Sequence, residues 1–306
     1  MIFGVIGVGN MGKNHVRVLT EIKKVEEVVV YDANPTRAKE VADAYEVSTA
    51  ESMDSLLREV DAVSICSPTS LHFHHIKRAV DSGKHVLVEK PITSSYDEAR
   101  KVLEMVEGKD FVFGVGHIER FNPVVSELVR VGVDAVYVEM KRHNPASIRM
   151  EDSTVVEDLM IHDIDILFNV LFPDVEDFRI SSAGTRSVVQ VLINSGDSVA
   201  SLSASRISSK KIRRLYIENE NFTVEGDLMT QEMYIYRRPA VYKTINEKYL
   251  QENVIEKVLI NKIEPLKVEL KAFVDAVEGK QDFPVTAEQA VKNLKICEII
   301  KKDIRL

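Results

Sequence analysis

The first 115 residues alternate between short apolar runs and segments with helical periodicity. The helical patterns cover about residues 13–17, 35–45, 51–59, 70–82 and 94–107. The apolar runs, rich in Val and Ile, cover residues 2–6, 27–31, 61–65, 84–88 and 111–115. Because strands that alternate with helices pair in parallel, this pattern predicts an α/β fold with a doubly wound parallel sheet.

After about residue 120 the pattern changes to consecutive strands with short turns between them. Six such runs lie at 133–143, 187–195, 198–206, 212–220, 221–227 and 231–238. Strands without intervening helices favour a second domain of α+β type with a mostly antiparallel, open sheet. Two helices are predicted near 264–279 and 286–303, and Thr286 with Gln289 forms a capping box for the second. The predicted domains are residues 1–119 and 120–306.

Residues 157–172, EDLMIHDIDILFNVLF, combine a long apolar segment with ionisable side chains. On a helix of 3.6 residues per turn, Asp158, His162, Asp165 and Asn169 fall on one narrow stripe, and Asp163 falls on another side. This pattern is typical of a helix that is buried on most of its surface and turns one polar stripe to a cavity. An acid placed favourably near a helix N-terminus and a buried core histidine are the structural alternatives.

The first apolar run leads directly into GVGNMG, which matches the G-x-G-x-x-G dinucleotide fingerprint at Gly7, Gly9 and Gly12. The first glycine permits a tight turn, the second lets the backbone approach a pyrophosphate, and the third lets the helix pack on the strand. We therefore assign these glycines, with Asn10 and Met11 between them, to cofactor binding.

An acidic residue at the end of the second run indicates which dinucleotide is bound. Asp32 lies 20 residues after Gly12, where a carboxylate accepts hydrogen bonds from the adenosine ribose. It should repel the 2′-phosphate of NADP, so NAD is favoured as the cofactor. Arg37 could reach such a phosphate and leaves NADP open as the less favoured alternative.

The composition excludes several other classes of protein. The 306 residues are 45% hydrophobic, as in ordinary globular proteins. A net charge of −8 argues against nucleic acid as a partner, because binding phosphates requires a basic face. No apolar run is long enough to cross a bilayer and the amino terminus lacks a secretion pattern, so we expect a cytoplasmic protein without membrane attachment. Cys66 and Cys297 lack a metal-type spacing, and we expect neither a disulfide nor a metal site.

Five motifs are spread over nearly the whole chain: GVIGVGNMG (4–12), SPTSLH (67–72), VEKPI (88–92), DLMIHDID (158–165) and FPVTAEQA (283–290). Together they resemble the glucose-fructose oxidoreductase, inositol dehydrogenase and rhizopine catabolism family of NAD(P)-dependent dehydrogenases. The resemblance implies an N-terminal Rossmann domain, a sugar-type substrate and a homodimer or homotetramer. VGHIERFNP (115–123) and VVEDLMIHDID (155–165) are similar to the branch that oxidises the C3 hydroxyl of UDP-N-acetylglucosamine.

The resemblance also implies which residues perform the chemistry. In the family, a Glu-Lys-Pro motif follows the strand that ends beside the nicotinamide, and here it is Glu89-Lys90-Pro91. The resemblance therefore implies that Glu89 and Lys90 border the bound cofactor. Lys90 would bond the reacting hydroxyl and stabilise its developing negative charge, and Pro91 would set the backbone turn. Asp158 and His162 match the D-x-x-x-H of the family's active site. His162 would act as general base during oxidation, and Asp158 as a substrate-bonding or orienting carboxylate.

Ser67, Pro68 and His72 follow the strand at 61–65, where an open sheet binds its ligand, and in the family this loop borders the cofactor. His72, His74 and His75 together suggest a metal cluster, but we assign them no metal because the resemblance makes them helix-start residues.

The junction between the predicted domains and the loop that follows carry further candidates. His117, Arg120 and Asn122 are predicted to line the substrate cleft, although Arg120 suits a structural salt bridge equally well. Arg142, His143 and Arg149 are candidates for facing a diphosphate, because guanidinium groups bind phosphate in a bidentate manner.

The sequence therefore predicts an NAD-dependent dehydrogenase acting on a small-molecule sugar or nucleotide sugar, with C3 oxidation of UDP-N-acetylglucosamine as the leading hypothesis. Another sugar or an inositol is the alternative within the enzyme class. A catalytically silent NAD-binding sensor is the alternative outside it, and the joint presence of Lys90, Asp158 and His162 counts against a sensor.

Overall fold

A computed structural model describes residues 1–145, 154–238, 242–245, 248–251 and 253–305. The chain forms two compact units by its internal contacts. The first unit comprises Met1–Phe121 and Glu264–Lys295, and the second comprises Asn122–Ile263 and Ile296–Leu306. The sequence-based division assigned everything after residue 119 to the second domain, whereas these contacts group residues 264–295 with the first unit.

The first unit contains a six-stranded sheet in which every pair of neighbouring strands is parallel. Its strands are β1 (Ile2–Ile6), β2 (Glu27–Tyr31), β3 (Ser48–Thr49), β4 (Ala62–Ile65), β5 (His85–Glu89) and β6 (Phe113–Gly116). The order β3-β2-β1-β4-β5-β6 reverses direction beside β1, as in doubly wound sheets. The predicted parallel fold is confirmed, and the two-residue β3 is an addition that its short polar sequence did not indicate.

Helices connect these strands near the predicted positions: α1 (Asn10–Thr20), α2 (Pro35–Tyr45), α3 (Met53–Glu59), α4 (Thr69–Asp81) and α5 (Tyr96–Val106). Local capping explains where two of them begin. The Asn34 side chain accepts hydrogen bonds from the backbone N–H groups of residues 36 and 37, and Ser52 forms a reciprocal capping box with Ser55. These caps satisfy N–H groups that have no partner within the helix.

The second unit contains an eight-stranded sheet of order β16-β13-β12-β11-β7-β10-β9-β8. Its strands are β7 (Tyr137–His143), β8 (Arg179–Gly184), β9 (Val188–Ser195), β10 (Ser198–Ser205), β11 (Ile212–Glu218), β12 (Phe222–Asp227), β13 (Glu232–Arg237) and β16 (Val254–Lys257). All neighbours are antiparallel except β7 and β10. Alternate residues along β7 and β9 are buried, so one face of the sheet carries the core. Strands β14 (Tyr242–Ile245) and β15 (Lys248–Gln251) form a separate pair.

Three further helices complete the description: α6 (Pro123–Val131), α8 (Pro265–Val277) and α9 (Ala287–Asp303), with α7 described below. α8 joins the first unit because its apolar side packs there: the Phe273 ring lies 6.0 Å from that of Phe3, and Lys24 Nζ lies 2.8 Å from Asp275 Oδ1. The capping box of α9 is present, with both Thr286–Gln289 contacts at 3.4 Å. Within the described residues, no helix combines the length and apolar character needed to cross a bilayer.

Candidate active site

The glycine turn between β1 and α1 shows three different reasons for glycine. Gly7 has φ +87°, and a Cβ there would lie 2.7 Å from the backbone N of Ser67. A Cβ on Gly12 would lie 1.9 Å from the carbonyl oxygen of Gly7. A Cβ on Gly9 would meet no described atom within 4 Å. The first and third glycines are thus required by close packing, and the second keeps the N-terminus of α1 open to an anionic ligand.

Asp32, directly after β2, supports this turn. One carboxylate oxygen accepts the backbone N–H of Val8 at 2.9 Å, and the other accepts that of Asn34 at 2.8 Å. Nη1 of Arg37 lies 3.7 Å from Asp32 Oδ1, with the Arg37 side chain about half exposed and that of Asp32 8% exposed. The carboxylate therefore holds the glycine loop itself, a role that the sequence did not indicate, and retains lone pairs for a further donor.

The His72 side chain contacts two loops at the carboxyl edge of the parallel sheet, the loop after β4 and the loop after β5. It is buried, and its ring nitrogens lie 2.9 Å from the carbonyl oxygens of Ser67 and Pro91. Burial lowers the pKa of His72, and a neutral imidazole donates to only one of these oxygens at a time. The ring positions the loop that carries Ser67 and Pro68, whereas the cofactor contact assigned to His72 stays a prediction.

The Glu89-Lys90-Pro91 motif begins at the last residue of β5. Glu89 is buried, and its Oε1 lies 3.0 Å from Nε2 of His15 on α1. Burial by itself raises the pKa of the Glu89 carboxyl, but the hydrogen bond and charge of His15 lower it below its ordinary value. Lys90 is half-buried and the Lys90–Pro91 peptide bond is cis. Sequence analysis missed His15, although a histidine on the apolar side of α1 was the available signal.

The residues predicted at the junction have internal partners. His117 is buried, with Nε2 3.4 Å from Nδ2 of Asn293. Arg120 is half-buried and donates from Nη2 to Oε1 of Gln289 at 3.4 Å. Asn122 accepts the N–H of Val124 as the N-cap of α6 and donates to the Leu228 carbonyl at 2.9 Å. Substrate contact by these three residues stays a prediction, and Arg149 lies outside the described residues.

The sequence pattern predicted one regular α-helix for the segment with the polar stripe, but the structure shows three consecutive helical stretches there. A π-helical stretch (Val156–Met160) leads into α7 (Ile161–Ile166), and a second π-helical stretch (Leu167–Leu171) follows. A projection at 3.6 residues per turn is therefore wrong for this segment, because i→i+5 bonding changes the turn. Single π-helical turns occur frequently at functional sites.

Asp158 and His162 are half-buried, whereas Asp165 is buried and accepts a hydrogen bond from Asn169 at 3.0 Å. Of the four residues of the predicted stripe, Asp158, His162 and Asn169 are therefore partly accessible and Asp165 is not.

Asp163, for which the sequence offered no partner, forms a buried ion pair with Arg142 on β7. Nε and Nη2 of Arg142 donate to Asp163 Oδ1 at 2.9 and 2.7 Å, and the two side chains are 1% and 3% exposed. The prediction that Arg142 faces a diphosphate is wrong, because the guanidinium lies in the core of the second unit. The pair joins α7 to β7, and no local sequence signal connects residues 21 positions apart.

The fold and the glycine turn together define a dinucleotide-binding protein of the Rossmann class. Residues 1–117 match the model of the oxidoreductase family with an NAD-binding Rossmann fold that comprises glucose-fructose oxidoreductase, inositol dehydrogenase and MocA. The chain is 35% identical over 246 residues to the UDP-N-acetylglucosamine 3-dehydrogenase of Acidithiobacillus ferrooxidans, covering 78% of this chain and 77% of that protein. The chain belongs to this oxidoreductase family.

Two further comparisons extend over the full length. A solved structure of the Acidithiobacillus ferrooxidans UDP-N-acetylglucosamine 3-dehydrogenase superimposes with a TM-score of 0.88, covering 99% of this chain and 97% of that one at 29% identity. The inositol 2-dehydrogenase of Rhizobium meliloti is 24% identical over 323 residues, which cover 99% of this chain and 96% of that protein. The protein is a dehydrogenase that acts on CH–OH groups and binds a nicotinamide cofactor.

Proposed function

We propose that this protein oxidises the C3 hydroxyl of UDP-N-acetylglucosamine to a ketone with NAD. The observation that carries the proposal is the likeness, along nearly the whole chain, to a UDP-N-acetylglucosamine 3-dehydrogenase. The Glu89-Lys90-Pro91 turn and the Asp158/His162 pair, both accessible at least in part, supply suitable chemical groups.

The proposal of NAD rests on the surroundings of Asp32. A bound nicotinamide would accept the hydride from the sugar carbon, and the open N-terminus of α1 at Gly9 would hold the pyrophosphate. The Asp32 carboxylate would accept from the ribose hydroxyls. A 2′-phosphate would meet this fixed negative charge, and Arg37 already lies beside the same carboxylate.

Lys90 is proposed to hold the oxygen of the reacting hydroxyl. Its ammonium group supplies positive charge where negative charge develops as the proton leaves. The side chain extends from the residue that directly follows the buried Glu89 at the end of β5. Removing one such electrostatic group typically lowers kcat by about 10²- to 10³-fold.

His162 is proposed as the general base, with Asp158 four residues earlier as an orienting or substrate-bonding carboxylate. The imidazole is suited to accept a proton near neutral pH and to return it in the reverse reaction. A positioned base contributes about 10²- to 10⁴-fold in rate.

Arg120 is proposed to contribute to binding of the diphosphate. Its guanidinium is half-buried, donates a long hydrogen bond of 3.4 Å to Gln289 and is of the type that binds phosphate in a bidentate manner. We also propose a homo-oligomer that uses the exposed face of the eight-stranded sheet. That face presents Tyr216 and Tyr234 with groups of both signs, including Lys141 and Glu225, which suits a symmetric contact with a second copy.

The proposal is tested by following NADH absorbance with NAD and a panel of UDP-N-acetylglucosamine, UDP-glucose, free N-acetylglucosamine and myo-inositol. A transaminase with an amino donor removes the ketone, so that an unfavourable equilibrium does not conceal turnover. Reduction of the product with borodeuteride would place deuterium at C3 of the sugar. Turnover of free polyols alone, or deuterium at another carbon, would contradict the proposal.

The residue assignments are tested with Lys90→Met and His162→Asn. Both variants should bind NADH as the unchanged protein does and should lose at least about 10²-fold in kcat. His74→Asn is the matched control, because His74 is an exposed histidine on α4. Full turnover by His162→Asn would refute its role as the base.

A further inference from the structure

A buried cluster of three ionisable side chains lies behind the Lys90 turn. His15 of α1, Glu89 at the end of β5 and Glu269 of α8 are all buried within the first unit. One ring nitrogen and one carboxylate oxygen from each glutamate lie within 4.8 Å of one another. Burying such groups is costly unless each is paired, so the cluster requires an explanation.

Two members of the cluster are paired directly. Nε2 of His15 lies 3.0 Å from Glu89 Oε1, and Nδ1 lies 2.7 Å from Ser64 Oγ. Burial alone would lower the pKa of His15, but Cys66 and Glu89 together raise it well above its ordinary value. His15 and Glu89 therefore form a buried imidazolium–carboxylate pair.

The third member lacks such a partner. Glu269 is fully buried, and neither of its carboxylate oxygens has a hydrogen-bond partner among the residues that the structure describes. An ionised Glu269 would add a second negative charge beside that of Glu89 in the buried cluster. Burial and the charge of Glu89 raise the pKa of the Glu269 carboxyl well above its ordinary value, and His15 opposes this only in part.

We propose that Glu269 is a neutral carboxylic acid and that it completes, with His15 and Glu89, a positioning network for Lys90. The inference rests on the proposed role of Lys90 in the reaction. The carboxyl group of Glu269 lies within 4.8 Å of the pair, a span that the protonated acid crosses by donating its proton directly or through one internal water. The network joins α1, which begins at the glycine turn, to the residue that precedes Lys90. It therefore connects the cofactor turn to the turn that carries the catalytic ammonium.

The distance between His15 and Glu89 fits a shared proton better than it fits a cation bound between them. Around a zinc ion with ligands at about 2.0 to 2.2 Å, two ligand atoms lie about 3.3 to 3.6 Å apart. The His15 to Glu89 distance of 3.0 Å is instead that of a direct hydrogen bond.

Substituting Glu269 leaves the other titratable groups near the cluster unchanged. Lys90 and His72 face Glu89, and Cys66 faces His15. A difference between the unchanged protein and Glu269→Gln therefore isolates the proton on Glu269.

The first experiment measures unfolding in urea from about pH 5 to 8, since a proton bound only in the folded state makes stability depend on pH. With its folded pKa raised above 4.5, Glu269 contributes stability that is lost as pH rises. Relative to Glu269→Gln, the unfolding constant of the unchanged protein should rise with pH, by up to about tenfold per pH unit where Glu269 is protonated in the folded state and ionised in the unfolded state. Glu104→Gln, an exposed glutamate on α5, should show the unchanged profile. Parallel profiles for the protein and Glu269→Gln would overturn the proposal.

The second experiment separates positioning from binding. Glu269→Leu should lower kcat with UDP-N-acetylglucosamine by about 10- to 100-fold, as expected for a small displacement of Lys90, while the dissociation constant of NADH stays within twofold. Glu269→Gln should restore most of that kcat. Equal losses in the Leu and Gln variants, or a parallel loss of NADH affinity, would show a merely structural role.

The two experiments also distinguish failure of this inference from failure of the proposed function. The unfolding profiles and NADH binding require no substrate, so they remain informative if UDP-N-acetylglucosamine is inactive. Metal analysis of the purified protein completes the test. We expect no stoichiometric metal, and one equivalent of a divalent metal that is lost in Glu269→Gln would replace the proton with a cation and refute the proposal.

Discussion

The buried pair between Arg142 and Asp163 gives a sharp prediction about stability. Asp163→Ala removes the oxygen that accepts hydrogen bonds from Nε and Nη2 of Arg142, at 2.9 and 2.7 Å, beside a guanidinium that is 1% exposed. Removing one partner of a buried ion pair costs about 3 to 5 kcal/mol. For a domain of this size, each kcal/mol lowers the melting temperature by about 2 to 4 °C, so Asp163→Ala should melt at least about 6 °C lower.

The assay is thermal unfolding followed by circular dichroism, with two comparison variants. Arg142→Met/Asp163→Leu should recover most of the lost stability, because it removes both charges and keeps apolar volume. Glu256→Ala is the matched control, since its bidentate contact with Arg237 lies on the surface and should contribute far less. An Asp163→Ala midpoint indistinguishable from that of Glu256→Ala would refute the reasoning.

Three further predictions concern the first unit. Gly12→Ala should prevent NADH binding by disrupting the turn, because its Cβ would lie 1.9 Å from the carbonyl oxygen of Gly7. Gly9→Ala should fold normally and lose only affinity for NADH, which urea unfolding and fluorescence titration with NADH would show. Asp32→Asn should raise kcat/KM with NADP relative to NAD, and an unchanged ratio would contradict the assigned cofactor preference. Burial lowers the pKa of His75 to about 4, so proton NMR should show a neutral ring at pH 5. Because the unfolded state binds the proton at a higher pH than the folded state does, the stability of the protein relative to His75→Gln should fall as pH drops from 6.5 towards 4.

The periodicity of the chain determined much of the fold. The strands and helices of the first unit follow from local alternation of apolar runs and amphipathic segments, and their positions agree within a few residues. The sequence was sufficient to recognise Gly7, Gly9 and Gly12, because the geometry of the turn is local and requires glycines at this spacing. The capping box at Thr286 and Gln289 was equally readable, since both partners lie within one helical turn.

Other features depend on contacts between distant residues, which periodicity does not encode. Helix α8 was predicted, but its packing against the first unit depends on which apolar surface it meets. The π-helical turns on either side of α7 change the direction in which side chains leave the segment from that of a regular helix. Such changes of turn leave the apolar pattern almost intact, so the sequence indicates a continuous helix.

The sequence by itself thus determined the class of fold, the cofactor turn and the short list of groups that could perform the chemistry. Only the tertiary structure decided which charged residues are partners in the core. Asp163 pairs with Arg142, and His15 with Glu89 lies beside Glu269, although these residues are far apart along the chain. The physical reason is that burial makes an unpaired charge costly, and the partner that offsets the cost is selected by three-dimensional proximity.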